Sequence, residues 1–174
     1  GVQYDIQHFS VPSFNVDLFF SLYMKSRRFA IFLQTCYNDF MKELIPEQIQ
    51  ILAQGCPFPL YVTGGAVRDC LAGLKCAADW DLAAPVSAET FEKAACKCGF
   101  TVQSVYKHTG TVNVSKEGVK IEFTSFRSDK YRRGEHAPCD VVFTDDIETD
   151  AKRRDFKCNA VYYEIARGEF VDPL

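Results

Sequence analysis

Residues Tyr61–Ala84 read "YVTGGAVRDCLAGLKCAADWDLAA", and the spacing of the last two acidic residues decides how the whole chain is read. In an extended strand, side chains alternate between faces, so Asp79 and Asp81 point one way while Trp80 and Leu82 point the other. Two carboxylates about 4 Å apart repel by roughly 4 kcal/mol at an effective dielectric of about 20, a cost that a fold rarely accepts without a counter-charge. A divalent cation is the natural one. Upstream, Gly64 and Gly65 stand where the strand "LYVT" passes into the helix "GAVRDCLAG". Glycines there let backbone N–H groups approach a phosphate, a helix start adds partial positive charge, and Arg68 brings a planar, permanently charged fork. Each feature alone also has a plain reading: two glycines make a tight turn, and an aspartate caps a helix or ends a strand.

Beyond the pair, the texture is of short strands and helices. "SAETFEKAACKCG" is expected as a helix capped by Ser87 and ended at Gly99. "FTVQSV", "TVNVSK" and "VKIEFTSF" are expected as strands, with Glu117-Gly118 turning between the last two. In the last of them Val119, Ile121 and Phe123 share one face and Lys120, Glu122 and Thr124 the other, so Glu122 supplies a third carboxylate. "RSDKYRRGEHAPCD" lacks a period and reads as a mobile loop; "DIETDAKRRDFKCNAVYY" reads as helical from Asp145 or Asp146, and Arg167-Gly168 as a small hairpin. Ahead of all this, apolar residues recur at helical spacing from Val16 to Gln54, which predicts two or three amphipathic helices with Pro46 opening the last.

The totals agree with one domain and a real core: 174 residues, 47% hydrophobic. A net charge of -3 gives no global basic footprint for nucleic acid. The local clusters Lys25–Arg28, Lys130–Arg133 and Lys152–Arg154 read individually as solvated faces. No apolar run is long enough to span a bilayer and no signal peptide is evident, so a soluble, cytoplasmic protein is expected. The eight cysteines are expected as free thiols, because neither Cys96 with Cys98 nor His136 with Cys139 belongs to a two-pair zinc pattern. His108 is expected to be structural.

A phosphate cradle, a strand with two co-facial aspartates and a third acid on a later strand are together the equipment for two-metal phosphoryl or nucleotidyl transfer. Neither the P-loop spacing nor the three-glycine dinucleotide fingerprint is present.

With these residues in place, the chain resembles the tRNA nucleotidyltransferase/poly(A) polymerase family, class II of the CCA-adding enzymes, in its bacterial form. The resemblance runs from "YVTGGAVRDCLAGLKCAADWDLAA" through "HTGTVNV", "KIEFTSFRSDKY" and "DAKRRDFKCNAVYY" to "GEFVDPL", roughly Ile45 to Leu174. It implies an α+β head of the polymerase-β type, a small mixed sheet flanked by helices, over 45–174, preceded by an aromatic-rich helical extension over 1–44. It implies Mg²⁺ held by Asp79 and Asp81, with Glu122 in catalytic support. Gly64, Gly65, Arg68 and Asp69 correspond to the triphosphate turn, Arg127 to the arginine near the nucleotide, and Arg153, Arg154, Asp155 and Asn159 to the "RRDxxxN" motif of the ribose and phosphate side. Ser128 to Pro138 corresponds to a flexible loop thought to help the site move between C and A addition. Cys76-Ala77-Ala78 and Cys158 depart from the usual family residues, while the charged positions are intact. The implied function is nucleotidyl transfer from CTP and ATP to an RNA 3′ end, above all CCA addition to tRNA. Poly(A) synthesis and a non-catalytic nucleotide-binding or assembly module are the alternatives. Family members continue into a helical neck, body and tail, and the neck motif that reads the base has no counterpart here. The expected partners are therefore the tRNA 3′ end and either those C-terminal domains or a separate helical chain, with no membrane.

Overall fold

The computed structural model describes residues 27–74, 79–130 and 140–174. Two helices lead, α1 (Arg27–Leu44) and α2 (Glu47–Gly55). Pro46 separates them from the N-cap position of α2, where its missing N–H costs nothing, and the Gln50 side chain closes the end of α1 by donating to the Ile45 carbonyl at 2.8 Å. The part of the expected helical region that lies before residue 27 is outside the described residues.

The strands follow in the order β1 (Tyr61–Thr63), β2 (Asp79–Ala84), β3 (Thr101–Tyr106), β4 (Thr111–Lys116) and β5 (Val119–Ser125). Helices α3 (Gly65–Leu71) and α4 (Ala88–Lys97) are interleaved with them. Later come β6 (Arg127–Lys130), β7 (Asp140–Phe143), α5 (Ile147–Lys152), a 3-10 turn at Lys157–Asn159, β8 (Tyr162–Glu164) and β9 (Glu169–Val171). Seven strands form one mixed sheet in the order β3-β4-β5-β2-β1-β8-β9, while β6 and β7 pair separately. Only β2 and β5 run parallel within the described sheet, Asp81 lying opposite Glu122.

Alternation then sorts the two faces. Val62, Trp80, Leu82, Val112, Val114, Ile121 and Phe123 turn toward the helices and are buried with Ile49, Leu52, Val67 and Phe91. Phe91 of α4 lies flat on Phe123 of β5, ring centroids 3.8 Å apart, and burying each ring contributes roughly 2 to 3 kcal/mol. Met41 and Ile45 join the same core, and the Tyr163 hydroxyl donates to the Asn38 carbonyl at 3.0 Å, so the end of α1 is fastened to the sheet. On the opposite face a second cluster of Ala83, Phe126, Ala151, Ala160 and Tyr162 covers the β1–β8 end. The carboxylate end of that face stays open.

The hairpin between β4 and β5 turns at Glu117 and Gly118, both at positive φ as a two-residue turn requires. Two expectations are corrected. The segment "DIETDAKRRDFKCNAVYY" is not one helix: Asp146 caps α5, which ends at Lys152, and Tyr162–Glu164 is a strand. Tertiary packing overrides the helical spacing there, because Tyr162 and Tyr163 are both fully buried and β8 pairs with β1. The expected loop begins later than read: Arg127–Lys130 pairs with Asp140–Phe143, so Ser128 lies in a strand ladder. Residues 131–139, which hold the rest of that loop and the His136 and Cys139 pair, lie outside the described residues, as do Lys75 and Cys76-Ala77-Ala78. Among the described residues, Cys36, Cys56, Cys96, Cys98 and Cys158 are free thiols, and no helix is long and apolar enough to cross a membrane. Burial, with Cys98 nearby, pushes the Cys56 thiol up to about 11.

Candidate active site

Asp79 and Asp81 project from β2 to the open face, both exposed, while the intervening Trp80 is buried. The parallel ladder sets Glu122 of β5 level with Asp81, and the antiparallel ladder sets Thr63 of β1 level with it on the other side. Asp81 is solvent-accessible, yet the surrounding protein still raises its pKa from the ordinary carboxylate value. Desolvation is the main cause, Glu122 and Asp79 add repulsion, and Arg154 partly offsets it. That concentration of negative charge is what a cation would relieve.

The chain passes Asp81 at Gly64, whose φ of 69° and ψ of -137° suit glycine alone. A Cβ there would stand 2.7 Å from Asp81 Oδ2. We therefore expect Gly64→Ala to cost about 1 to 3 kcal/mol in chemical denaturation, from backbone strain plus the clash, and to displace the Asp81 carboxylate. Helix α3, which starts at Gly65, has seven residues. So short a helix has little dipole to offer, which leaves the turn backbone and Arg68 as the groups on this side able to meet an anion. Arg68 is half in solvent, 2.8 Å from Asp69, and donates to Asn159 Oδ1 at 3.3 Å. Asn159, from the turn before β8, is thereby drawn to the glycine turn; Asp69 steadies Arg68.

A second group of charges lies beneath the β6–β7 ladder. Asp150 of α5 is fully buried and accepts from the Tyr162 hydroxyl at 2.6 Å and from the Arg127 backbone N–H at 3.1 Å. Its two oxygens also take Arg153 Nη2 at 2.8 Å and Arg154 Nη2 at 2.9 Å. Burial opposes its ionisation, but the two guanidiniums outweigh it and hold the Asp150 carboxyl below the usual range. Arg153 reaches on to Asp129, 3.6 Å away, and Asp129 pairs with Arg127 at 2.8 Å. Positive and negative groups thus alternate from Arg127 to Arg154, and Arg154 is the member whose field reaches Asp81.

The structure therefore joins Asp79, Asp81, Glu122 and Gly64 in one place, with Gly65, Arg68, Asp69 and Asn159 beside them. Arg154 acts on Asp81 through space. Arg153 and Arg154 are not a solvated face, since both are mostly buried against Asp150. Arg127 is turned inward to Asp129 and the Thr109 carbonyl. Asp155 is exposed beside Lys152 and Lys157, along a shallow cleft that also includes Pro173. His108 is exposed in the turn before β4. Sequence reading missed Asp150, Asp129 and Tyr162. For Asp150 the signal was present: it stands three and four residues before two arginines, the helical ion-pair spacings.

Among the described residues no three His, Cys, Asp or Glu side chains converge as a self-sufficient metal cage. The Asp79 and Asp81 pair nonetheless suits Mg²⁺, which is commonly bound by one or two carboxylates together with waters and substrate phosphates.

A family model described as "Poly A polymerase head domain" matches residues 60–174. The CCA-adding enzyme of Geobacillus kaustophilus is 38% identical over 117 residues, 67% of this chain and 28% of that protein. Among solved structures, the Bacillus stearothermophilus CCA-adding enzyme in complex with CTP superposes with a TM-score of 0.58 at 32% identity, over 78% of this chain and 30% of that one. A tRNA nucleotidyltransferase complexed with a primer tRNA and an incoming ATP analog gives 0.51 at 26%, over 71% and 34%. The chain thus spans about a third of the length of the relatives it matches, and the mixed sheet with its flanking helices is the polymerase-β-type head they share. On the match to residues 60–174 and on this likeness, the chain belongs to the poly A polymerase head-domain family, which takes in the CCA-adding enzymes.

Proposed function

We propose that this chain is the catalytic head of a Mg²⁺-dependent nucleotidyltransferase that adds CMP and AMP units from CTP and ATP to an RNA 3′ end, above all the CCA of tRNA. The observation that carries the reading is the placement of Asp79 and Asp81 on one open face, with Asp81 level with Glu122 and close against the Gly64 turn. Relatives crystallised with CTP, and with primer tRNA and an ATP analog, support it.

In the reaction the acceptor 3′-hydroxyl oxygen forms a bond to the α-phosphorus, the bond to the bridging oxygen breaks, and pyrophosphate leaves with that electron pair. Asp79 and Asp81 would hold Mg²⁺, which when bound lowers the pKa of the hydroxyl and neutralises triphosphate charge. The Gly64–Gly65 backbone and Arg68 bind the phosphates, Asn159 orients Arg68, and Arg154 balances the negative charge around Asp81. Glu122, next to Asp81, assists the hydroxyl proton toward solvent. We assign the head to 45–174 and a helical extension to 1–44, and base selection to segments outside the head. The name of the matching family model keeps poly(A) synthesis as the second reading.

Calorimetric titration with CTP and with ATP, with and without Mg²⁺, tests this. We expect Mg²⁺-dependent binding of both with little preference, lost in the Asp79→Ala/Asp81→Ala double variant. Mg²⁺-independent binding, or binding retained by the variant, would sink the assignment.

A further inference from the structure

The open face carries a second set of groups that the phosphate chemistry does not use. Across the sheet, Asp81 faces Glu122, Glu122 faces Asn113, and Asn113 faces Ser104. In the neighbouring row Asp79 faces Lys120, Lys120 faces Ser115, and Ser115 faces Thr101. Asn113 Nδ2 donates to Ser104 Oγ at 2.9 Å, and Gln103 Nε2 donates to Ser115 Oγ at 3.0 Å, so these side chains are already held in place. A groove of about 740 Å³ runs from the carboxylates over β5 and β4 toward β3, with Lys120, Asn113, Ser115 and Gln103 along it. Its character changes with distance from the carboxylates: first acidic, then one ammonium, then neutral groups that both donate and accept.

Direction follows from the sheet order. The Gly64 turn, Arg68 and Asn159 lie on the β1 side of Asp81, whereas the groove lies on its β5 side. An in-line displacement needs the entering and leaving oxygens on opposite sides of the phosphorus. With pyrophosphate drawn toward Gly64 and Arg68, the attacking hydroxyl has to arrive from the groove. Amide and hydroxyl groups suit ribose 2′-hydroxyls and base edges, which single-stranded RNA exposes, and an ammonium suits one backbone phosphate.

We infer that the groove over β5, β4 and β3 seats the last nucleotides of the acceptor RNA strand, with Asn113 reading the ribose edge and Lys120 holding a backbone phosphate. This inference rests on the nucleotidyl-transfer reading and extends it by naming where the acceptor lies. Asn113 and Lys120 act as positioning residues for the strand.

The test is fluorescence anisotropy of the full chain with a short 5′-fluorescein single-stranded RNA and with the DNA of the same sequence, beside calorimetry with CTP and Mg²⁺. Asn113→Ala is expected to weaken RNA binding about tenfold and DNA binding little, so that the preference for RNA collapses. Lys120→Gln, an exposed substitution with no packing to disturb, is expected to flatten the slope of log affinity against log salt by about 0.7, one phosphate contact on a single strand. CTP affinity should stay within about twofold in both variants. The proposal is overturned by a wild-type chain that prefers neither nucleic acid, by unchanged RNA binding in both variants, or by weakened CTP binding with RNA unaffected, which would give the groove to the incoming nucleotide. If wild-type binds RNA as expected but no CTP, the transfer reading fails while the groove assignment stands.

Discussion

Asp150→Ala is expected to lower the unfolding free energy by about 3 to 5 kcal/mol, the range for removing one partner from a buried ion pair. The wild-type carboxylate sits between Arg153, Arg154 and the Tyr162 hydroxyl with none of its surface exposed. Without it, two guanidiniums face each other with little water to replace the lost charge, and the Tyr162 hydroxyl and the Arg127 N–H lose their acceptor. Asp150→Asn retains the shape and one acceptor oxygen, so its loss should be distinctly smaller. Urea denaturation of the three proteins at neutral pH measures this. The pH dependence has a defined sign. Because the folded-state pKa of Asp150 is depressed, its contribution is present above the ordinary aspartate pKa of about 3.9 and is lost as pH falls through the lower folded value. The variants should therefore converge with wild type in strong acid. An Asp150→Ala protein within about 1 kcal/mol of wild type would show that the cluster is solvated and contributes little.

Asp81→Ala is expected to reduce Mg²⁺-dependent nucleotidyl transfer by at least about a thousandfold, equivalent to roughly 4 kcal/mol of transition-state stabilisation. The loss should fall on turnover rather than on folding, since Asp81 is exposed and contributes nothing to the core beneath Trp80 and Leu82. Removing a carboxylate from a crowded group relieves repulsion with Glu122 and Asp79, so stability should be unchanged or slightly raised. Pyrophosphate release in the presence of acceptor RNA, or in complex with any helical chain needed for turnover, gives the rate; a melting curve on the same sample gives the fold. Retention of more than a small fraction of turnover would falsify the site.

Much of this was legible locally. The alternation in "DWDLAA" and "VKIEF" placed Asp79, Asp81 and Glu122 on polar faces, and the Ser87 cap and the Glu117-Gly118 turn fixed neighbouring boundaries. Short-range patterns of this kind depend only on backbone geometry. What the sequence hid was long-range. Nothing local says that β2 pairs with β5 in parallel, which is what sets Glu122 beside Asp81 rather than elsewhere on the sheet. The run at Val161–Tyr163 has helical neighbours and a strand fate, decided by pairing to β1 and by the contacts of Tyr61, Phe126 and Tyr162. Arg127 was matched to the nucleotide by the family motif; its inward partners, Asp129 and the Thr109 carbonyl, were hidden because Asp129 sits in a stretch read as loop.

The parallel β2–β5 ladder also sets an order of events. A parallel neighbour cannot be reached by a tight turn, so β2 waits while α4, β3 and β4 are laid down before its partner exists. The hairpins β3–β4 and β4–β5 need only local closure and can form quickly; docking β2 onto them closes a much larger loop and is intrinsically slow. During synthesis, a nascent chain released only as far as β4 holds both aspartates but not Glu122. Charge crowding at Asp81 thus arises with the β2–β5 pairing, before β8 and β9 complete the sheet, and on the proposed reading Mg²⁺ affinity would report that step rather than chain collapse.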